Sequence, residues 1–218
     1  MEFDDLREEL MGPGTVRAAT RADVPALARV MSRAFFDESQ FVWLQPNAGL
    51  RSSLLEGMFR LELRHVHPID RGGHVLPANG GLLGGAVWAP PGRWKAPMWR
   101  QLRGTPRLFL TLGRGNLRGF ATRGKALQDA LEEAHPVEPH WYLAALGVDP
   151  DAQGQGVGAA LMRAGLDRCD DEGAHAYLEC VEHLVPYYKR FGFEPRGPIA
   201  MPDEAPTQVG MWRPGRTR

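Results

Sequence analysis

The sequence predicts one mixed α/β domain built around a single sheet. Apolar residues with helical spacing alternate with short apolar runs, in the order strand, two helices, hairpin, helical stretch and then β-α-β-α-β-β. The near-continuous apolar run at 141–148 indicates a strand that is buried on both faces. A length of 218 residues, of which 43% are hydrophobic, suits one domain of ordinary size.

The first elements follow a leader at residues 1–14, which we expect to be flexible, so that the domain covers residues 15–218. A short strand is predicted at 16–20, and Thr20 followed by Asp23 is a pattern that caps a helix. The apolar face of that helix comprises Val24, Leu27, Ala28, Met31 and Phe35.

A second helix and a hairpin come next. Apolar spacing predicts the helix at about 49–66. The hairpin strands are predicted at 74–76 and 82–90, joined by a turn at 79–81.

The segment at about 92–139 is predicted to be a helical insert. It is basic, since neither Asp nor Glu occurs between Arg71 and Gln128. Its basic surface is either solvated or a wall over an anionic ligand. An amphipathic helix is expected to close the insert at Ala134. Four residues are expected to divide the earlier part into short helices: Pro97, Gly104, Pro106 and Gly113.

The C-terminal third has regular strand and helix signals. After the strand at 141–148, a helix is expected to end near Gly173, with the next strand at 174–180 and a short helix at 185–191. A further strand begins at the sequence Phe-Glu-Pro that starts with Phe193, and the last is predicted at 207–212. We expect this last strand to be weakly paired, which leaves a homodimer formed by strand exchange open.

Composition excludes several classes of function. The formal net charge is zero, which argues against a protein that binds nucleic acid or a membrane surface. No apolar run approaches the ~20 residues of a membrane helix. Two cysteines without a disulfide framework, and an N-terminus without a signal peptide, predict a soluble cytoplasmic protein. The spacing of His65, His67 and His74 matches no metal site, so we expect no metal.

A glycine-rich loop at 147–159 separates the strand at 141–148 from the following helix. Glycines that open a helix expose backbone N–H groups, which favour a phosphate-bearing ligand. A P-loop would require a lysine that is missing here. A dinucleotide site would use Gly154, Gly156 and Ala159, with Glu179 on the ribose, but its first glycine should stand at the end of the strand.

The string Gln153-Gly154-Gln155-Gly156-Val157-Gly158 has the form Q/R-x-x-G-x-G/A. In this string and in the Tyr-x-x-Phe-Gly-Phe motif at 188–193, the sequence resembles the GNAT superfamily of acyl-CoA N-acyltransferases. Within that superfamily it is most similar to the puromycin N-acetyltransferase group, through the segments 86–92, 138–148 and 178–180.

The resemblance implies a central mixed, mostly antiparallel sheet whose fourth and fifth strands splay apart around acetyl-CoA. Pantetheine would then pair with the backbone of Leu146, Gly147 and Val148, and the Val148 N–H would polarise the thioester carbonyl. The residues implied to bind the diphosphate are Gln153, Gly154, Gln155, Gly156, Val157, Gly158 and Ala159.

Two side chains are candidates for catalysis. Tyr188 matches the tyrosine acid of the family, and Glu179, near the end of its strand, is the candidate base. The sequence leaves His183 or water open as the base, and Leu184 stands where many relatives have asparagine.

The expected activity is transfer of an acetyl group to a primary amine of a small molecule by direct attack. Acetylation of protein lysines or N-termini, and a non-catalytic acyl-CoA sensor, are the alternatives. Six aromatic residues are candidates to line the acceptor pocket: Phe35, Phe36, Trp43, Trp88, Trp94 and Trp99.

Overall fold

A computed structural model describes residues 14–78, 80–95 and 105–216. The chain forms one seven-stranded mixed sheet with helices on both faces, which confirms the predicted fold class. The predicted leader lies outside the described residues except for Gly14, whose N–H donates to the Pro77 carbonyl over 3.2 Å.

The sheet has the strand order β1-β2-β3-β4-β5-β7-β6, and only the β4–β5 pair is parallel. The strands are β1 (Arg17–Ala18), β2 (Gly73–Ala78), β3 (Gly81–Ala89), β4 (His140–Val148), β5 (His175–Val181), β6 (Glu194–Pro198) and β7 (Gln208–Arg213). β7 is paired on one side with β5 and on the other with β6. The expectation of a weakly paired last strand is therefore wrong, and β6 forms that edge of the sheet.

Six α-helices surround the sheet within the described residues. They are α1 (Val24–Ala34), α2 (Ser39–Leu44), α3 (Ala48–Leu61), α4 (Thr105–Ala134), α5 (Val157–Asp171) and α6 (Val185–Lys189). The predicted capping box precedes α1, where the Thr20 N–H donates to the Asp23 carboxylate over 2.7 Å. α3 continues into a π-helical turn at Glu62–Val66, so the predicted helix at 49–66 is nearly continuous.

The insert differs from its prediction. Its one α-helix within the described residues is α4, which has 30 residues and runs through Gly113 instead of ending there. Pro106 occupies the first turn, where a proline removes no helical hydrogen bond. Pro97 and Gly104 lie outside the described residues.

The two faces of the sheet carry separate cores. α1 and α3 cover one face, where Leu27, Met31 and Phe59 are buried. α5 and α6 cover the other face, where Leu161 and Tyr188 are buried. Side chains alternate along each strand, so neighbouring residues of β4 and β5 face different cores.

The β4–β5 pair opens into a gap. Its ladder joins only residues 140–142 to residues 175–177. Beyond Tyr142, β4 pairs only with β3, and beyond Tyr177, β5 pairs only with β7. The carboxyl ends of the two parallel strands therefore diverge, as the sequence resemblance implies, and ligands commonly bind at this place in an α/β sheet.

The glycine at position 165 lets α5 approach the sheet. A Cβ built there would lie 2.1 Å from Nε1 of Trp88, whose side chain is buried in β3. We expect Gly165→Ala to lower the free energy of unfolding by about 1–3 kcal/mol, because packed cores resist extra atoms. The matched change Gly124→Ala, in a helix where the nearest atom is 3.9 Å away, should instead raise it by about 0.5–1 kcal/mol. Urea unfolding of both variants tests this, and equal effects would contradict the packing argument.

Three further findings concern membrane helices, the cysteines and possible metal ligands. In the described part of the chain, no helix is long and apolar enough to cross a membrane. Cys169 and Cys180 are both free and buried, and burial raises the pKa of each thiol to about 12. Over the same residues, no group of three or more His, Cys, Asp or Glu side chains is placed to hold a metal ion.

Candidate active site

A groove of about 970 Å³ lies where β4 and β5 diverge. Leu146, Gly147 and Val148 line it on β4, and α1, α6 and the glycine loop form its other walls. Most of the loop residues singled out in the sequence line this groove together: Gln153, Gly154, Gly156, Val157, Gly158 and Ala159. Gln155 is not part of the lining.

The loop has a backbone that favours glycine. Gly154 and Gly156 have φ values of 77° and 83°, in the left-handed region. Gly156 is the N-cap residue of α5. The amides of residues 157–159 form the first turn of that helix, where N–H groups have no carbonyl partner within the helix. This end of α5 therefore presents several N–H donors and a positive dipole end to the groove.

Gly158, Gln153 and Gln155 stabilise this loop conformation through their contacts. A Cβ at Gly158 would lie 2.8 Å from the Tyr187 hydroxyl oxygen, so this glycine leaves room for a side chain of α6. The Gln153 side-chain amide donates to the Val148 carbonyl over 3.5 Å, and that of Gln155 donates to the Asp151 carbonyl over 3.1 Å. Each glutamine amide keeps one further N–H for a ligand.

The register of β4 decides which amides face the gap. The Asp149 N–H donates to the Leu83 carbonyl of β3 over 2.8 Å. Because N–H directions alternate along a strand, the Gly147 N–H also points to β3, and those of Leu146 and Val148 point to the gap. The Val148 amide is thus directed as an oxyanion donor must be.

Tyr188 lies on the groove side of the sheet. Its side chain is buried among the α5-side core, and it also lines the groove. Burial raises its pKa above the usual value, and Cys180 and Tyr187 add to the shift. The hydroxyl group therefore stays protonated at neutral pH. His183 and Leu184 also line this groove.

A second pocket, of about 590 Å³, lies on the opposite face of the sheet. Ala144 and Ala145 of β4 line this second pocket, so β4 contributes to both the pocket and the groove. Its walls are mainly apolar and come from α2, α3 and α4. Representative wall residues are Phe41, Leu44, Met58, Phe59, Leu127 and Leu131.

Glu179 lies in this second pocket. Only 7% of its side chain is exposed, and its Oε1 is 3.3 Å from Nδ1 of His135. Burial raises the pKa of Tyr142 and of Tyr177, and the Glu179 carboxylate raises both further. The structure thus separates the two predicted catalytic residues, with Tyr188 on one face of the gap and Glu179 on the other.

A second acid, Glu62, lines the same pocket and contacts Nδ1 of His67. The other ring nitrogen of His67 is 2.6 Å from the Trp94 carbonyl oxygen. Both partners are acceptors, so both nitrogens of His67 donate and the ring is charged. Burial alone would lower the pKa of His67, but Glu62, the Trp94 carbonyl and Glu179 together raise it above its ordinary value.

The aromatic candidates for the acceptor pocket are mostly placed elsewhere. Trp94 does line the pocket, whereas Phe35 lines the groove and Trp88 is in the core. The rings of Phe36 and Trp43 lie under Arg51 and Arg123. Trp99 lies outside the described residues.

Sequence reasoning missed the buried polar cluster around Glu179. His135 and His140 are 8% and 3% exposed, and they flank the turn that leads into β4. A signal was present, since His140 and Tyr142 on β4, like Tyr177 and Glu179 on β5, are two residues apart and so share a face.

Comparisons with known proteins agree with this geometry. The profile of the acetyltransferase (GNAT) family matches residues 79–193. An uncharacterized N-acetyltransferase of Schizosaccharomyces pombe is 32% identical over 178 residues, which cover 78% of this chain and 70% of the relative.

Solved structures show the same fold. A Corynebacterium glutamicum structure, described as histone acetyltransferase HPA2 and related acetyltransferase, superposes with a TM-score of 0.69 and 29% identity, over 95% of this chain and 99% of that one. An N-acetyltransferase of Staphylococcus aureus superposes with a TM-score of 0.59 and 14% identity, over 91% of this chain and 100% of that one.

Proposed function

This chain belongs to the acetyltransferase (GNAT) family, and from that premise we propose that it transfers the acetyl group of acetyl-CoA to the primary amine of a small molecule. The observation that carries the proposal is the gap between β4 and β5. It has an anion-binding loop on one face and a mainly apolar pocket with two carboxylates on the other.

Acetyl-CoA fits the groove. We assign its diphosphate to the backbone amides of residues 153–159, and its pantetheine arm to the gap-facing amides of Leu146 and Val148. A side chain at Gly154 or Gly156 would disturb the left-handed backbone that aims these amides. The bound donor supplies an activated acetyl group as a thioester.

The second pocket suits a compact acceptor. Its volume of about 590 Å³ lies within the range of small-molecule sites, about 300–1,000 Å³. Apolar walls favour an acceptor with a hydrocarbon or aromatic body, and the carboxylate of Glu179 attracts its ammonium group.

Glu179 takes the proton that the amine must lose before it attacks. Its carboxylate lies in the acceptor pocket, whereas His183, the other candidate base, lines the cofactor groove. Direct attack then needs only that the two ligands meet across the gap, so that positioning supplies much of the rate.

Tyr188 serves as the acid for the departing sulfur. Burial raises the pKa of Tyr188 and so makes the phenol a weaker acid, and proton transfer to the sulfur therefore depends on the place of Tyr188 in the groove lining. We expect Tyr188→Phe to lower kcat by about a hundredfold, the lower end of the roughly 10²–10⁴ that a general acid typically contributes. The KM for acetyl-CoA should stay nearly constant.

Tyr187→Phe is the matched comparison for this prediction. The Tyr187 hydroxyl group is buried against Gly158 of the loop, so its loss should act on the KM for acetyl-CoA more than on kcat. If Tyr188→Phe leaves kcat unchanged, the acid assignment is wrong.

Free-thiol release from acetyl-CoA with a panel of amines tests the function. The panel contains phenethylamine, tryptamine, puromycin and a lysine-containing histone-tail peptide. Turnover with the aromatic amines and little with the peptide supports the proposal. Thiol release with none of the amines, despite tight CoA binding, would favour the acyl-CoA sensor.

Protein acetylation is the second candidate function. It is favoured by the description of the C. glutamicum structure as a histone acetyltransferase and related acetyltransferase, at 29% identity. Preference for the peptide in the same panel would establish it over the small-molecule proposal.

A further inference from the structure

Behind Glu179, two histidines and a backbone carbonyl form a chain of short contacts. Nδ1 of His135 is 3.3 Å from Oε1 of Glu179. Nε2 of His135 is 3.0 Å from Nε2 of His140, and Nδ1 of His140 is 2.6 Å from the Glu138 carbonyl oxygen. The chain runs from the acceptor pocket to the exposed turn that leads into β4.

The end of the chain determines where the hydrogens lie. A carbonyl oxygen only accepts, so Nδ1 of His140 carries a hydrogen. Burial lowers the pKa of His140, which favours the neutral ring. Nε2 of His140 is then an acceptor, and the hydrogen between the two rings belongs to Nε2 of His135.

This assignment of hydrogens does not determine whether Nδ1 of His135 carries one. With His135 neutral, its Nδ1 holds a lone pair that faces the Glu179 carboxylate. The Glu179 oxygen and this nitrogen are then two acceptors 3.3 Å apart, which make no hydrogen bond. One added proton, on either the oxygen or the nitrogen, creates a hydrogen bond between them.

We propose that His135 and Glu179 form one proton-accepting unit, and that His140 is a positioning residue that holds this unit in its accepting form. The inference rests on the proposed function, in which Glu179 receives the proton of the acceptor amine. An N–H bond of the ammonium group breaks, the proton enters the Oε1–Nδ1 contact, and the electron pair stays on the nitrogen for attack.

The surroundings favour this pair as the site of proton uptake. Trp94 stacks on the His135 ring with 3.6 Å between the ring centroids. The rings of Tyr142 and Tyr177 make edge contacts with His135, each with 5.0 Å between centroids. The other acids near the pair have cations of their own. Within the described residues these ion pairs are Glu62–His67, Glu132–Lys95 and Glu138–Arg196.

Nitrogen-15 NMR of protein labelled at histidine tests the hydrogen assignment without any acceptor. We expect His140 to carry its hydrogen on Nδ1 across neutral pH. We expect His135 to keep a hydrogen on Nε2, the nitrogen that faces His140. A His140 ring with its hydrogen on Nε2 would overturn the proposal.

Kinetics with phenethylamine test the consequence. In His140→Phe, the neutral His135 is free to move its hydrogen to Nδ1 and to donate to the carboxylate, which weakens the carboxylate as a proton acceptor. We expect kcat to fall on the order of tenfold and the acid limb of the pH profile to move down by about one pH unit, the equivalent of one hydrogen bond. The KM for acetyl-CoA should not change.

Two further variants separate positioning from simple disruption. His140→Gln keeps an acceptor oxygen for His135 and should recover most of kcat. His175→Phe is the matched control, because His175 is the β5 neighbour of His140 and accepts from the Gly215 N–H. An unshifted pH profile in His140→Phe would overturn the inference. Failure of wild-type protein to acetylate any amine would count against the proposed function, and the NMR result would still decide the inference.

Discussion

Replacement of Glu179 by glutamine is expected to lower kcat for amine acetylation by about a hundredfold to a thousandfold, the range of a lost general base. Glutamine has the same shape and still reaches His135, so the buried cluster keeps its packing. It cannot take a proton from the ammonium group. The loss should therefore shrink as the pH rises and more of the amine arrives already neutral.

The control for this variant is Glu182→Gln, because Glu182 is an exposed acid just after β5. It should retain wild-type kcat and stability. Rates are measured from thiol release between pH 6 and 10, and thermal unfolding checks that both variants fold. A Glu179→Gln enzyme with wild-type kcat at pH 7 would remove the base assignment and leave water as the proton acceptor.

Introduction of aspartate at Gly156 is expected to weaken CoA binding by at least about a hundredfold. A carboxylate about 4 Å from the diphosphate would cost about 4 kcal/mol for each pair of unit charges at a protein surface, and a hundredfold corresponds to about 2.7 kcal/mol. Aspartate and asparagine adopt the left-handed backbone of Gly156, whose φ is 83°, at less cost than other side chains, and a Cβ there meets no atom within 4 Å. The backbone strain is therefore shared by the aspartate and asparagine variants.

Two controls isolate the charge. Gly156→Asn has nearly the same shape without the charge and should bind CoA more tightly than Gly156→Asp. Gly80→Asp places the same residue at a φ of 88° in the turn of the β2–β3 hairpin, outside the groove lining, and should bind CoA like the wild type. Calorimetric titration measures all three, and equal affinity of Gly156→Asp and wild type would contradict the assignment of the diphosphate.

The glycine loop could be found in the sequence because its physical demands are local. Gly154 and Gly156 need a backbone that other residues rarely adopt, and α5 begins directly after them. The strands were predicted to within about two residues for the same reason. The runs of β4 and β5 are short, apolar and bounded by turn residues.

Other features depend on contacts that are distant in the sequence. α2 has only six residues, too few for a helical period to be recognised, and Glu38 caps it by accepting from the Gln40 N–H. Gly113 does not end α4, which shows that a single helical glycine is a weak signal.

The contact between His135 and Glu179 could not be predicted from the sequence either. His135 and Glu179 are 44 residues apart, and only the pairing of β4 with β5 brings them into contact. The aromatic candidates illustrate the same limit. Trp88 is as hydrophobic as Trp94, yet the packing of Gly165 on β3 makes it a core residue.

Backbone amide NMR during titration with CoA tests most directly whether the loop binds the diphosphate. The account predicts that the largest shifts occur at the amides of Gly154, Gly156, Val157, Gly158 and Ala159, that ADP reproduces them, and that pantetheine does not. Shifts confined to other regions, or equal shifts with pantetheine, would contradict it.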